Sequence, residues 1–144
     1  MRFQSTIQYL LSAWLFIFFC LGPENVLAST VKEKRQPQLK LIRATMCERI
    51  ENYLPVNFAV VFSVTVGKIS CFTSFDPVPK ETQIEHKWYY KDTLSTQKRL
   101  FLKTPRWSTY SSIQLREADK GPWRVEIVDK NNRILGILRF SVTD

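Results

Sequence analysis

The strongest constraint on the fold is an alternation of apolar and polar residues that begins near Leu41 and continues to the C-terminus. Near the end of the chain, for example, Trp123, Val125 and Ile127 share one side of an extended backbone, and the residues between them are charged. A period of two residues is typical of strands that bury one face. No long window of the sequence shows the period of about 3.6 residues that marks an amphipathic helix. The chain is therefore predicted to be all-β.

Eight strand-like runs follow one another, rich in β-branched and aromatic residues and separated by turn residues. Asn131 and Asn132 predict a tight hairpin, because asparagine tolerates positive φ angles. The run 58–66 is apolar at almost every position, which predicts a strand covered on both faces. Short strands without helices predict a single antiparallel β-sandwich, immunoglobulin-like, with an open Greek-key barrel as the alternative. The runs are 41–50, 58–66, 68–75, 82–91, 97–104, 107–115, 122–129 and 133–142.

The N-terminus has the layout of a secretory signal peptide. Arg2 precedes an apolar run that ends near Leu21, and the segment closes on Val-Leu-Ala at Ala28. The run is shorter than the roughly 20 residues that span a bilayer, so we expect cleavage after Ala28 and no stable membrane span; retention as an anchor is the alternative. The protein is then periplasmic or secreted. The predicted organisation is a signal peptide at 1–28, a flexible polar leader at 29–40 and a β-sandwich domain at 41–144.

The cysteines and the charge fit an exported domain. Removing the signal peptide removes Cys20 and leaves Cys47 and Cys71, an even pair that predicts a disulfide in an oxidising compartment. The competing interpretation is two buried free thiols. The formal net charge is +8, and the signal peptide contributes one basic and one acidic residue to it. This excess suits anionic envelope material, although it also suits a domain that is merely soluble.

The only histidine of the chain lies in the segment IEHKWYY, residues 84–90. Alternation places His86 on the same side of a strand as Trp88. A catalytic imidazole needs a nucleophile and an orienting carboxylate, and the chain has no Gly-x-Ser-x-Gly elbow. His86 is therefore interpreted as a packing residue; a small hydrolase that uses it with a serine of segment 106–112 is the alternative. One histidine and dispersed carboxylates predict no metal site, and no cofactor motif or catalytic residue is identified.

The segment PRWSTYSS gives the most ligand-like pattern, because Arg106 and Trp107 precede several hydroxyl groups. Arginine beside an exposed aromatic ring is typical of binding hot spots and can stack on a sugar. We therefore predict an exported, non-enzymatic module that binds an envelope protein or a glycan; nucleic acid is a poor partner, since no basic stripe is visible. If the tryptophans instead fill the core, the module is purely structural. The candidate binding residues are His86, Trp88, Arg106, Trp107 and Trp123.

Five pieces of sequence carry a resemblance to a known family. In chain order they are ERIENYLPV, KISCFTSF, IEHKWYY, RWSTYSS and GPWRVEIVDKNNRILGILRFSV. Together they resemble the bacterial domain of unknown function 2914 family from about Ile42 to Val142. The resemblance implies a small β domain in exported or membrane-attached proteins and implies no activity. Ser108 departs from the family pattern, in which a second basic residue or a threonine is common after the tryptophan. The matching motif positions are His86, Trp88, Arg106, Trp107, Gly121 and Trp123.

Overall fold

The alternating segments form nine strands in the computed structural model, which describes residues 36–144. The predicted signal peptide and most of the predicted leader lie outside these residues. The strands are β1 (Leu41–Glu51), β2 (Leu54–Phe58), β3 (Val61–Ser63), β4 (Lys68–Phe75), β5 (Thr82–Tyr90), β6 (Thr93–Leu102), β7 (Trp107–Gln114), β8 (Gly121–Asp129) and β9 (Ile134–Thr143). Two single 3₁₀ turns complete the described part, at Val64–Val66 and Glu117–Asp119.

The strands form two sheets, with the orders β2-β1-β4-β7 and β3-β9-β8-β5-β6. The predicted all-β sandwich is therefore confirmed. Strands β1, β4 and β7 follow the order of strands A, B and E of an immunoglobulin domain, and β6, β5, β8 and β9 follow the order C′, C, F and G. One pair departs from the antiparallel prediction, because β3 runs parallel to β9.

The segment 58–66 differs from its prediction. It contains the end of β2, the short strand β3 and a 3₁₀ turn rather than one strand. Phe58, Val60 and Val61 are each more than half exposed, so the expected cover on both faces is absent. The reason is position: β2 and β3 are the outermost strands of different sheets, and the chain crosses between the sheets there. Each of these two strands therefore has a single neighbouring strand.

The core lies between the sheets, and its larger cluster includes Trp88, on the strand that corresponds to strand C. Phe140 packs edge-on against Trp88 with 6.1 Å between ring centroids, and Trp123 stacks on Phe140 at the same separation. A second cluster, which includes Phe75 and Ile84, fills the end of the sandwich where β5 begins. Buried aromatic side chains contribute most to such a core, because each removes about 150–250 Å² from water.

The domain begins slightly before its predicted boundary at residue 41. The Lys40 amide donates to the Pro77 carbonyl at 3.3 Å, and the Asp76 amide donates to the Lys40 carbonyl at 3.0 Å. Leu39 packs against the second core cluster. The last residues of the predicted leader are therefore part of the folded domain.

The prediction of a Cys47–Cys71 disulfide is wrong. Both cysteines are buried free thiols. Cys47 lies opposite Ser70 across the β1–β4 ladder, and Cys71 lies opposite Met46. Residues directly opposite each other share a face of the sheet, so the two thiols point to opposite faces. Burial raises the pKa of both thiols, which keeps them protonated at neutral pH. The alternative interpretation, two buried free thiols, describes the structure.

Candidate functional site

A chain of polar side chains joins the two sheets at His86. Alternation along β5 points this side chain inward, and it is 0% exposed. Its Nδ1 lies 2.8 Å from Ser111 Oγ, and its Nε2 lies 3.2 Å from Thr73 Oγ1, both on the facing sheet. Burial lowers the pKa of His86 to about 4. The imidazole is therefore neutral at pH 7 and bridges the sheets as a hydrogen-bonding group.

The direction of each bond follows from the groups at the two ends of this chain. The Trp88 indole nitrogen can only donate, and it lies 3.1 Å from Ser111 Oγ. At the other end the Thr73 hydroxyl donates to the Thr109 carbonyl at 3.4 Å. Ser111 must then donate to Nδ1 of His86, and the Nε2 proton of His86 must be donated to Thr73. Within residues 36–144, no buried side-chain nitrogen or oxygen lacks a partner.

This arrangement bears directly on the hydrolase alternative. The histidine and a serine of segment 106–112 do meet at hydrogen-bonding distance, as that alternative requires. However, His86 is 0% exposed and Ser111 is 6% exposed, so a substrate has no path to the serine oxygen. The second nitrogen of His86 faces the Thr73 hydroxyl rather than a carboxylate. The pair therefore lacks the access and the orienting charge that nucleophilic catalysis needs.

The five candidate binding residues separate into two groups. Trp88 is 0% exposed and Trp123 is 5% exposed, with the Trp123 indole nitrogen donating to the Asp119 carbonyl at 2.7 Å. Together with His86 they lie in the interior, so the prediction that these three contact a ligand is corrected. Trp107 is 37% exposed, because it begins the edge strand β7. Arg106 and Trp107 therefore remain as candidate contact residues.

Arg106 and Trp107 lie at a groove of 530 Å³ beside the four-stranded sheet, which we call the aromatic groove. On the outer face of that sheet, Phe72 of β4 is paired with Tyr110 of β7. The next row is a pair of hydroxyl groups, in which Ser108 donates to Ser74 at 2.9 Å. The groove therefore combines rings and hydroxyls on a rigid sheet. Its wall includes Ile42, Tyr53, Phe72, Arg106, Trp107 and Tyr110.

The charged groups of the aromatic groove are open to solvent. The Arg106 side chain is 78% exposed, and its Nε lies 3.8 Å from Asp76 Oδ2. Such an exposed ion pair contributes at most about 1 kcal/mol to stability. The guanidinium can therefore leave Asp76 and bind a ligand instead. The Lys103 ammonium lies 5.7 Å from the centroid of the Trp107 ring. Arg106 therefore has a carboxylate beside it, and Trp107 has a cation beside it.

Sequence reasoning missed the part of the aromatic groove that lies outside the segment PRWSTYSS, to which Tyr110 belongs. Ile42, Tyr53 and Phe72 come from distant parts of the chain, and no local pattern links them to this segment. For Phe72 a signal did exist, because Ile69 and Cys71 point inward and alternation then sends Phe72 outward. Recognising the partner of Phe72 required the register of β4 against β7.

No group of three or more His, Cys, Asp or Glu side chains within 36–144 could hold a metal ion. Among the same residues, no helix has the length and apolar character needed to cross a membrane.

Comparisons with known proteins give a family and two distant structures. Residues 81–142 match the family model described as "Protein of unknown function (DUF2914)". The search of curated proteins found no match. A GH3 β-glucosidase from Bifidobacterium adolescentis is 8% identical with a TM-score of 0.43, over 73% of this chain and 17% of that enzyme. A β-glucosidase from Kluyveromyces marxianus is 10% identical with a TM-score of 0.42, over 74% of this chain and 14% of that enzyme.

This chain thus spans less than a fifth of either enzyme, and at such TM-scores the likeness gives no argument about activity. The family resemblance carried by the sequence motifs is confirmed over residues 81–142, where the chain matches the protein family of unknown function DUF2914.

Proposed function

We propose that this protein is an exported, non-enzymatic binding module, and that the aromatic groove takes an envelope protein or a glycan as its ligand. The observation that supports this proposal is the groove itself, which combines the exposed rings of Trp107 and Tyr110 on β7 with an accessible guanidinium. Rings held on a sheet lose little side-chain entropy when a ligand binds.

The composition of the groove suits recognition rather than chemistry. Ile42, Tyr53 and Tyr110 are exposed apolar or aromatic side chains that share one wall. A concave apolar surface of this kind is typical of a binding site. Arg106 adds a planar donor that can form paired hydrogen bonds with a carboxylate or with vicinal hydroxyl groups. The Ser74 and Ser108 hydroxyls supply further partners for a polar ligand.

Export supports the choice of an envelope ligand. The signal-peptide pattern at residues 1–28 directs the domain out of the cytoplasm. There it meets cell-surface polysaccharides and exported proteins, which are the two ligand classes of the proposal.

The test is binding by the mature protein, which begins at Ser29. A glycan array and a pull-down from an envelope extract separate the two ligand classes. We expect Arg106→Ala and Tyr110→Ala each to weaken capture about tenfold, the usual effect of removing a hot-spot residue. Ile137→Ala is the matched control, because Ile137 is exposed on the other sheet. Equal capture by the wild type and all three variants would show that the aromatic groove is not the contact surface.

A further inference from the structure

One end of the sandwich carries two adjoining cavities, which we call the loop-end cleft. Thr82 begins β5 and is paired with Leu102, the last residue of β6. Asp129 ends β8 beside Ile84 of β5, so the loops that follow β6 and β8 meet at this end. The cavities have volumes of 520 and 340 Å³, and Thr82 and Lys130 belong to the walls of both. The two cavities therefore adjoin each other and form one cleft.

Cations outnumber anions in the wall of the loop-end cleft. Lys80 and Lys130 form no ion pair with any carboxylate among residues 36–144. Their ammonium groups are therefore available to a ligand. A concave surface lined by one sign of charge raises the local concentration of oppositely charged ligands. The cationic residues of the wall are Lys80, Lys103, Lys130 and Arg133, and the acidic ones are Glu81 and Asp129.

Asp129 does little to offset this charge, because its carboxylate is used within the 129–133 turn. Its Oδ1 accepts the Asn131 amide at 2.8 Å and the Arg133 amide at 3.0 Å. Its Oδ2 lies 3.2 Å from the Arg133 guanidinium. Asp129 and Arg133 neutralise each other, so the charge of the cleft is set by Lys80, Lys103 and Lys130 against the single carboxylate of Glu81.

At the opposite end of the sandwich, several charged residues are paired with one another. The pairs there are Lys120 with Glu117, Lys120 with Asp144, Arg116 with Asp119, and Arg124 with Asp92. The basic residues of these pairs are therefore already neutralised by carboxylates, whereas Lys80 and Lys130 are not.

The loop-end cleft also offers an aromatic ring and neutral hydrogen-bonding groups. Phe101 is 69% exposed and lines the larger cavity together with Thr82 and Gln83. Asn131 lines the smaller one. A ring face can pack against a sugar ring, and hydroxyl and amide groups match the hydroxyls of a saccharide. Lipid headgroups lie in a plane and would leave the cavities unfilled.

We propose that the loop-end cleft binds an acidic polysaccharide. Carboxylate or sulfate groups of the polymer pair with Lys80 and Lys130, and a sugar ring packs against Phe101. This site is separate from the aromatic groove and does not depend on the function proposed for it.

The experiment measures binding of the mature protein to immobilised alginate, which is carboxylated, and to heparin, which is sulfated. Uncharged dextran, poly-glutamate and phosphatidylglycerol vesicles are the comparison probes. The test variant is Lys80→Gln with Lys130→Gln. Its matched control, Lys68→Gln with Lys98→Gln, removes the same charge elsewhere; neither lysine lines the cleft. Thermal unfolding of every variant verifies that it is folded.

We expect the test variant to bind alginate or heparin about tenfold more weakly, because two exposed ion pairs are lost. Phe101→Ala should weaken binding about fivefold, whereas the control and Tyr110→Ala should bind like the wild type. The relative affinities for alginate and heparin identify the anionic group.

Four results would overturn the proposal: no binding to either polymer, an equal loss in the test and control variants, capture of vesicles but not polysaccharides, or equally tight binding of poly-glutamate with no effect of Phe101→Ala. If Tyr110→Ala retains polysaccharide binding, the loop-end cleft binds the polymer independently of the aromatic groove.

Discussion

At the level of single residues, the only histidine of the chain is a buried hydrogen-bonding group of the core. His86 and Trp88 project from one sheet, Thr73 and Ser111 project from the other, and their hydrogen bonds run in one consistent direction. Such a network stabilises only when every member is satisfied, because an orphaned polar group in the interior costs about 1–3 kcal/mol. Ser111 is the critical member, since it serves two neighbours at once.

Ser111→Ala should therefore destabilise the domain by about 2–4 kcal/mol, because it leaves both the Trp88 indole and Nδ1 of His86 without a partner. Urea unfolding of the mature protein measures the change. Ser108→Ala is the control, since the Ser108 hydroxyl is exposed and water can replace its bond; we expect a loss below about 1 kcal/mol. Similar losses in the two variants would contradict the network.

The lowered pKa of His86 makes stability depend on pH. The folded-state pKa is about 4, and the unfolded value is about 6.5. Between these values the unfolded chain binds more protons than the folded one, so the free energy of unfolding falls as the pH falls. We expect a loss of about 2 kcal/mol between pH 7 and pH 5. Urea unfolding at the two pH values measures it, and His86→Gln should lack most of this dependence. An unchanged dependence in that variant would assign the effect to other groups.

At the scale of elements, the register of β1 against β4 decides the state of the cysteines. Each strand alone predicts a buried cysteine, and the paired strands place the two thiols on opposite faces of the sheet. A shift of one residue would bring Cys47 directly opposite Cys71. It would also turn all the remaining side chains of β1 to the opposite face of the sheet. Met46 would then leave the core, which opposes such a shift.

Thiol titration tests this register. Mature protein prepared without reductant should show no reactive thiol in the folded state, because both groups are buried and protonated. After unfolding in denaturant it should show two, corresponding to Cys47 and Cys71. If unfolding exposes none, the cysteines form a disulfide and β1 has a different register.

At the scale of the whole molecule, the segment before β1 completes one end of the sandwich. Leu39 covers the second core cluster, and the backbone of Lys40 bonds to the loop that follows β4. The domain therefore depends on residues that composition alone assigns to a polar leader. The same end carries the loop-end cleft, whose smaller cavity is lined partly by Gln38 and Leu39.

Truncation tests this boundary. A chain that begins at residue 41 should be less stable than one that begins at residue 36 by about 2 kcal/mol, because it loses the burial of Leu39 and two backbone hydrogen bonds. Thermal and urea unfolding of the two chains, compared with mature protein, measure the difference. Equal stabilities for all three would place the domain boundary at residue 41.

The local pattern of the sequence was sufficient to predict the strands and the faces that they bury. Alternation is a local property of an extended chain, so it indicates correctly that Trp123, Val125 and Ile127 point inward and that His86 shares a face with Trp88. It also located most strand boundaries within a few residues. The family motifs could also be recognised from the sequence, because each motif lies within one continuous stretch of chain.

Every feature that depends on which strands are neighbours became visible only in the folded domain. Pairing brings Phe72 beside Tyr110 and places His86 against Ser111. It also separates the two thiols and gathers lysines that are scattered along the sequence into the loop-end cleft. These contacts join residues far apart in the chain, and an alternating pattern records the face of each residue but not the strand beside it.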